Sequence, residues 1–177
     1  METHRVWGPV VRLLHWALAL SFLADAALID RHSPLHRWVG YGIVALVLLR
    51  LLWGFVGPRH ARFADFPPDL TATVAQIREL ALGRRVRHLG HSPLGALMVY
   101  NLLAVMLLLG LTGWILTLSE STLGHDPEWA EELHALLFGW ALISVLVHVA
   151  AVVFLSLRTR VTLIRAMITG RKTFLDE

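Results

Sequence analysis

Four long apolar runs, separated by short polar breaks, divide the chain into residues 9–28, 35–56, 93–118 and 133–157. A helix needs about 20 mostly apolar residues to cross a bilayer, and each run is long enough. Punctuation supports these limits. Ser33-Pro34 precedes span two and Gly57-Pro58 follows it. Ser92-Pro93 opens span three as a cap followed by proline at the first helical position. Between spans two and three, Pro68 to Gly83 reads as a short amphipathic surface helix, with Leu70, Val74, Ile77, Leu80 and Ala81 on one side. The expected fold is an all-α integral membrane bundle of four helices, forming one domain over residues 1–177.

Composition agrees with the pattern. Hydrophobic residues make up 56% of the chain, charged residues only 16%, and mean hydropathy is +0.61. Soluble domains carry about 25% charge. The absence of cysteine excludes disulfides, iron–sulfur clusters and covalently attached c-type haem. Nothing suggests a nucleic-acid partner. Ala24-Asp25-Ala26 resembles a signal-peptidase site, but cleavage there would discard His15, so span one is read as a retained anchor.

Charge orients the bundle. Arg59, Arg62, Arg78, Arg84, Arg85 and Arg87 lie in the middle loop, and Arg158, Arg160, Arg165, Arg171 and Lys172 in the tail. Arg5 and Arg12 stand at the amino end. Basic residues stay inside, so both termini and the middle loop are expected in the cytoplasm of a bacterium. The loops near Asp30 and His125 are expected in the periplasm.

Ionisable side chains within spans are costly and usually functional. Four of the ten histidines lie in spans: His15, His36, His134 and His148. The other six are read as solvated loop or tail residues. Helix directions put His36 and His134 near the periplasmic surface, and His15 and His148 toward the cytoplasm. His134 and His148 are 14 residues apart, nearly four whole turns and a rise of about 21 Å. They therefore share one face, too far apart for one metal ion but suited to two stacked haems.

Phe138, Ala141 and Val145 lie on the stripe between them. Small Ala141 leaves room, and Phe138 can pack on a porphyrin. Gly40, one turn after His36, lets a flat macrocycle approach the backbone. Arg50 falls at the inner level and Arg12 one turn before His15. Both are candidates for propionates of the inner haem; the alternative is that they snorkel to lipid phosphates.

Two rival readings of the histidines are weaker. Polar glue between helices does not need matched depths. Zinc needs three or four ligands at one level, whereas each level here holds two, the number haem iron takes axially. Two axial histidines leave no open position, which favours electron transfer over oxygen activation. A histidine-using metal or proton transporter would show inverted repeats and broken helices, and neither is visible.

The motifs RLLHW (Arg12–Trp16), HRWVG (His36–Gly40), RLLWGFVGPRHARFADF (Arg50–Phe66), GHSPLG (Gly90–Gly95), the paired histidines of span four and RAMITGRK (Arg165–Lys172) together resemble the bacterial cytochrome b561 family and the b-type cytochrome subunits of nickel–iron hydrogenases. The resemblance covers nearly the whole chain. It implies two b haems, each held by two histidines, working with quinone and a periplasmic redox partner in the inner membrane. By position, His15 and His148 would hold the inner haem, and His36 and His134 the outer, in agreement with the depth argument.

Quinone is expected beside the inner haem, with Arg59, His60 and Arg62 as candidate contacts; an ordinary positive-inside loop is the plainer alternative. The periplasmic loops and helix ends carry Asp25, Asp30, Glu120, Asp126, Glu128, Glu131 and Glu132 against Arg31 and Arg37. An acidic face repels superoxide and steers a basic protein. The expected partner is a periplasmic c-type cytochrome or a hydrogenase small subunit, with superoxide oxidation the alternative. A homodimer is compatible with this reading.

Overall fold

A computed structural model describes residues 2–84, 87–123 and 127–174. Arg85, His125 and Asp126 therefore lie outside the described residues.

Proline and polar caps start the helices where backbone donors would otherwise be unpaired. Helix α1 (Pro9–Leu28) begins at a proline after Gly8. In α2 (Pro34–Val56), the Ser33 side chain accepts from the His36 amide. Asp69 caps α3 (Leu70–Ala81) by accepting from the Ala72 amide at 2.9 Å. Helix α4 (Pro93–Leu123) starts with Ser92 accepting from Gly95 at 3.2 Å. Helix α5 spans Glu128–Thr159, with Glu128 and Glu131 in its first turn and Arg158 in its last, matching the helix dipole.

Helices α1, α2, α4 and α5 are each long and apolar enough to cross a membrane. The last two exceed the 93–118 and 133–157 expected from hydropathy, because α-helix continues into their polar ends as Ser119 to Thr122 and as Glu128 to Glu132. Many span side chains face outward, among them Leu13, Leu20, Phe55, Leu136 and Leu157, as lipid contact requires.

Helix α1 packs on α2, α2 on α4, and α4 on α5. A core of Phe22, Ile43, Val47, Leu103, Val105 and Ala141 occupies the middle. Two glycines permit close approach. A Cβ on Gly110 would collide with the Val44 side chain, and one on Gly54 with the Phe63 ring.

Helix α3 is amphipathic as expected, but its polar side is the one that packs on protein. Thr73 and Gln76 are buried, whereas Leu70, Val74 and Ile77 are exposed. Gln76 accepts from the Leu94 amide at 2.9 Å and so serves the start of α4. The outward apolar stripe suits the membrane interface.

The chain ends hold features not anticipated from sequence. Strand β1 (Glu2–Arg5) pairs antiparallel with β2 (Arg171–Phe174), and α6 (Leu163–Thr169) precedes β2. Gly170, at φ +78°, turns the chain from α6 into β2. Trp7, Val11, Ala61 and Ala166 form a second core beneath this clasp. Lys172 reaches the middle loop, so both ends and that loop gather at one end of the bundle.

Candidate functional site

The four span histidines form two pairs. His15 on α1 and His148 on α5 have ring centres 6.3 Å apart, with planes at 58°. His36 on α2 and His134 on α5 stand 6.2 Å apart, with planes at 85°. The first pair, nearer the chain ends, is the near pair; the other is the far pair.

Helix α5 meets α1 and α2 across ring side chains rather than by close helix packing. The Phe22–Phe138 contact, at 6.3 Å, lies between the two histidine rungs.

This spacing fits a bis-imidazole iron. A metal–imidazole bond is about 2 Å and a ring nitrogen lies about 1 Å from its ring centre, so two imidazoles in line on one metal stand about 6 Å apart. Gly40, one turn after His36, has no neighbouring atom within 4 Å of where a Cβ would lie, leaving open space beside the far pair. Both observations fit haem. No group of three or more His, Cys, Asp or Glu suited to a metal ion occurs among the described residues.

The rings of the far pair are held from behind. His36 Nδ1 lies 3.0 Å from Asp25 Oδ1. His134 Nδ1 lies 2.8 Å from Thr112 Oγ1. The Thr112 hydroxyl has the carbonyls of Leu108 and Leu109 to donate to, at 3.0 and 3.1 Å. Its oxygen can therefore accept from Nδ1–H. Both arrangements engage Nδ1 and leave Nε2 free to face a metal. The near pair has no such partners: neither ring makes a hydrogen bond among the described residues, and His15 has only the edge contact of Trp16 at 5.4 Å.

The other expected site residues occupy varied settings. Arg12 Nη1 donates to the Ile168 carbonyl of α6, while its Nε is buried without a partner. Arg50 is 7% exposed. Its guanidinium lies over the Phe63 ring at 5.1 Å, with Nη1 buried and unpartnered. Phe138 packs near Phe22, and Ala141 is fully buried in the central core. Arg62 sits in an ion pair with Asp65, Nε to Oδ2 at 3.4 Å. His60, at φ 70°, lines a 240 Å³ pocket with Arg59, Asp65, Phe66, His88, Leu89, Gly90 and His91.

Not all the loop histidines are solvated, because the terminal clasp covers the middle loop. His91 stacks against Trp7 and Phe66, with ring centres 4.6 and 4.1 Å away. Its Nδ1 and the Nε2 of His88 are buried without partners. Burial pushes the His91 pKa down to about 3, helped by the charges of Arg50, Lys172 and His60. Burial likewise lowers His88, with Lys172 adding to it. Lys172 donates to the carbonyls of His88, Leu89 and Gly90 at 2.6, 3.1 and 3.1 Å, and burial brings its pKa down to about 8.

Asp25 and Thr112 also escaped notice as site residues. For Asp25 the signal was present: a carboxylate inside an apolar span is itself a functional marker.

Membrane-length helices that oppose histidines at the spacing of a bis-imidazole iron define a membrane-embedded b-type cytochrome. The family model for prokaryotic cytochrome b561 matches residues 6–170, and the chain belongs to that family. Its cofactor is haem b and its role transmembrane electron transfer. The chain is similar to the "Probable Ni/Fe-hydrogenase B-type cytochrome subunit" of Azotobacter vinelandii, 26% identical over 222 aligned positions that cover 97% of this chain and 89% of that protein. No solved structure matches the chain.

Proposed function

We propose that this protein carries electrons between a periplasmic redox protein and membrane quinone through two b haems, one held by His15 and His148 and the other by His36 and His134. The repeated ring separation, 6.3 Å in one pair and 6.2 Å in the other, carries the reading. Haem b supplies a one-electron iron couple when bound. Each histidine pair would hold one iron, and α5 sets the levels about 21 Å apart along its axis. The Phe22–Phe138 contact fills the space between them. Arg12 and Arg50 are the cations available to propionates at the near level, with an unpartnered nitrogen on each.

The arginine-rich end holds the termini and middle loop, so the positive-inside rule favours a cytoplasmic location for it in a bacterial inner membrane. The far end then faces the periplasm. The name of the Azotobacter relative favours a hydrogenase as donor or acceptor; a basic c-type cytochrome suits the same acidic surface. The Arg37–Glu120 ion pair at 2.6 Å cancels one base against one acid, so the face stays acidic and Arg37 offers no free positive spot to superoxide.

Quinone fits the near end. The polar pocket around His60 and His91 shares Arg59 and His60 with a 480 Å³ groove lined by Val6, Trp7, Pro9, Val11, Pro58 and Ala61. A polar head and an apolar tail would each find a matching wall. His60 is the candidate proton carrier, and Arg62 a weaker contact because Asp65 already engages it.

Haem content tests the central reading. Pyridine extraction should give two b haems per chain, and a value near one would reject the two-haem claim. Quinone turnover tests the pocket. The His60→Ala, Arg62→Ala double variant should turn over quinone more slowly, and an unchanged rate would remove these residues from the site.

A further inference from the structure

Asp25 is a carboxylate near the end of an apolar helix, and its side chain is only 14% exposed. Burying such a group is unfavourable unless it is paired. Its partner is the Nδ1 of His36, and no cation competes for it. Nearby Arg37 is engaged by Glu120, while Arg31 donates to His32 at 3.1 Å. Thr112 offers His134 a second acceptor, but a neutral one. The near pair lies in the opposite environment. Among the described residues no acceptor backs either ring, and Arg12 and Arg50 bring positive charge to that level.

We propose that Asp25 is a positioning residue that acts through His36 to make the far level the lower-potential one, so that electrons run from the far level toward the near level. This rests on the two-haem reading. A carboxylate that accepts from a ligand's remaining N–H draws that proton toward itself and makes the ring a stronger electron donor to the metal. The oxidised metal gains most, so its reduction becomes less favourable. Thr112 pushes His134 in the same direction with a neutral oxygen and a smaller effect. Arg12 and Arg50, even when propionates engage them, offset negative charge at the near level and so favour the reduced metal there. One electron lost at the far level is one gained at the near level, with no bond or proton exchanged.

Redox titration of the purified haem-loaded protein tests this, with His15→Ala as the background that isolates the far haem. Asp25→Asn keeps an acceptor oxygen behind His36 but removes the charge. It should raise the equilibrium constant for reducing the far haem at least tenfold, about 59 mV for one electron. Thr112→Val should raise it less. The low-spin ferric resonance of the far haem should shift in Asp25→Asn while that of the near haem does not.

An unchanged far potential with haem content intact would overturn the proposal, as would a far haem already the higher of the two in the wild type. Loss of the far haem in both variants would overturn it too, because Asp25 would then build the site rather than tune it. A wild-type protein binding one haem would instead reject the two-haem reading, and haem content reveals that before any potential is measured.

Discussion

The two histidine pairs have nearly the same ring separation and quite different support. The far rings are fixed by polar side chains of neighbouring spans, Asp25 on α1 and Thr112 on α4. Among the described residues the near rings have no such backing; the terminal clasp closes over that level instead. Trp16 Nε1 donates to the Met167 carbonyl at 3.0 Å, and Arg12 reaches Ile168 in the same segment. A shared metal would account for the matching ring separations. What stands behind each ring is free to differ, and it is there that two similar sites can acquire different properties.

The largest test of this contrast is removal of a ligand. Alanine at His15 or His148 should eliminate one haem and leave the far one, and alanine at His36 or His134 should do the reverse. Reduced-minus-oxidised spectra should fall to about half of the wild-type amplitude, with the remaining band differing between the two classes. Identical residual spectra, or loss of both haems from every variant, would break the pairing.

Support should matter next. Thr112→Val takes the hydroxyl acceptor from the His134 N–H, at a cost of up to about 3 kcal/mol. Trp16→Phe removes one hydrogen bond that joins α1 to α6 at the near end, worth about 1 kcal/mol. Thermal melting followed at the haem band should therefore drop further for Thr112→Val than for Trp16→Phe. The reverse order would mean that the terminal clasp, not the polar backing, carries more of the stability.

A further effect, confined to acid pH, is expected at the near end. His91 titrates near 3 in the folded protein against 6.5 when free. Between those values the unfolded chain binds more protons, so stability rises with pH through the window. The stabilisation is complete above about 6.5 and is lost as pH falls toward 3. His91→Gln should flatten this acid limb of melting temperature against pH. An unaltered slope would assign the acid sensitivity elsewhere.

How much was legible beforehand depended on the range of the interaction concerned. The spans were readable because a lipid core sets a minimum length and a helix satisfies its backbone from within. The paired depths of His15, His36, His134 and His148 followed from the same regular rise along each helix. Strands β1 and β2 were not legible, since each is four residues long and pairs with the opposite end of the chain. Loop histidines were read as solvated on local polarity, which carries no information about the strands and tryptophan that cover His91.

The sequence by itself determined the membrane class, the number of spans and the depths of the four span histidines, because these depend on spacing along single helices. Only the tertiary structure decided that Asp25 faces His36 and that Thr112 faces His134. Those contacts depend on how separate helices rotate against each other, and packing between them, not periodicity within them, sets that rotation.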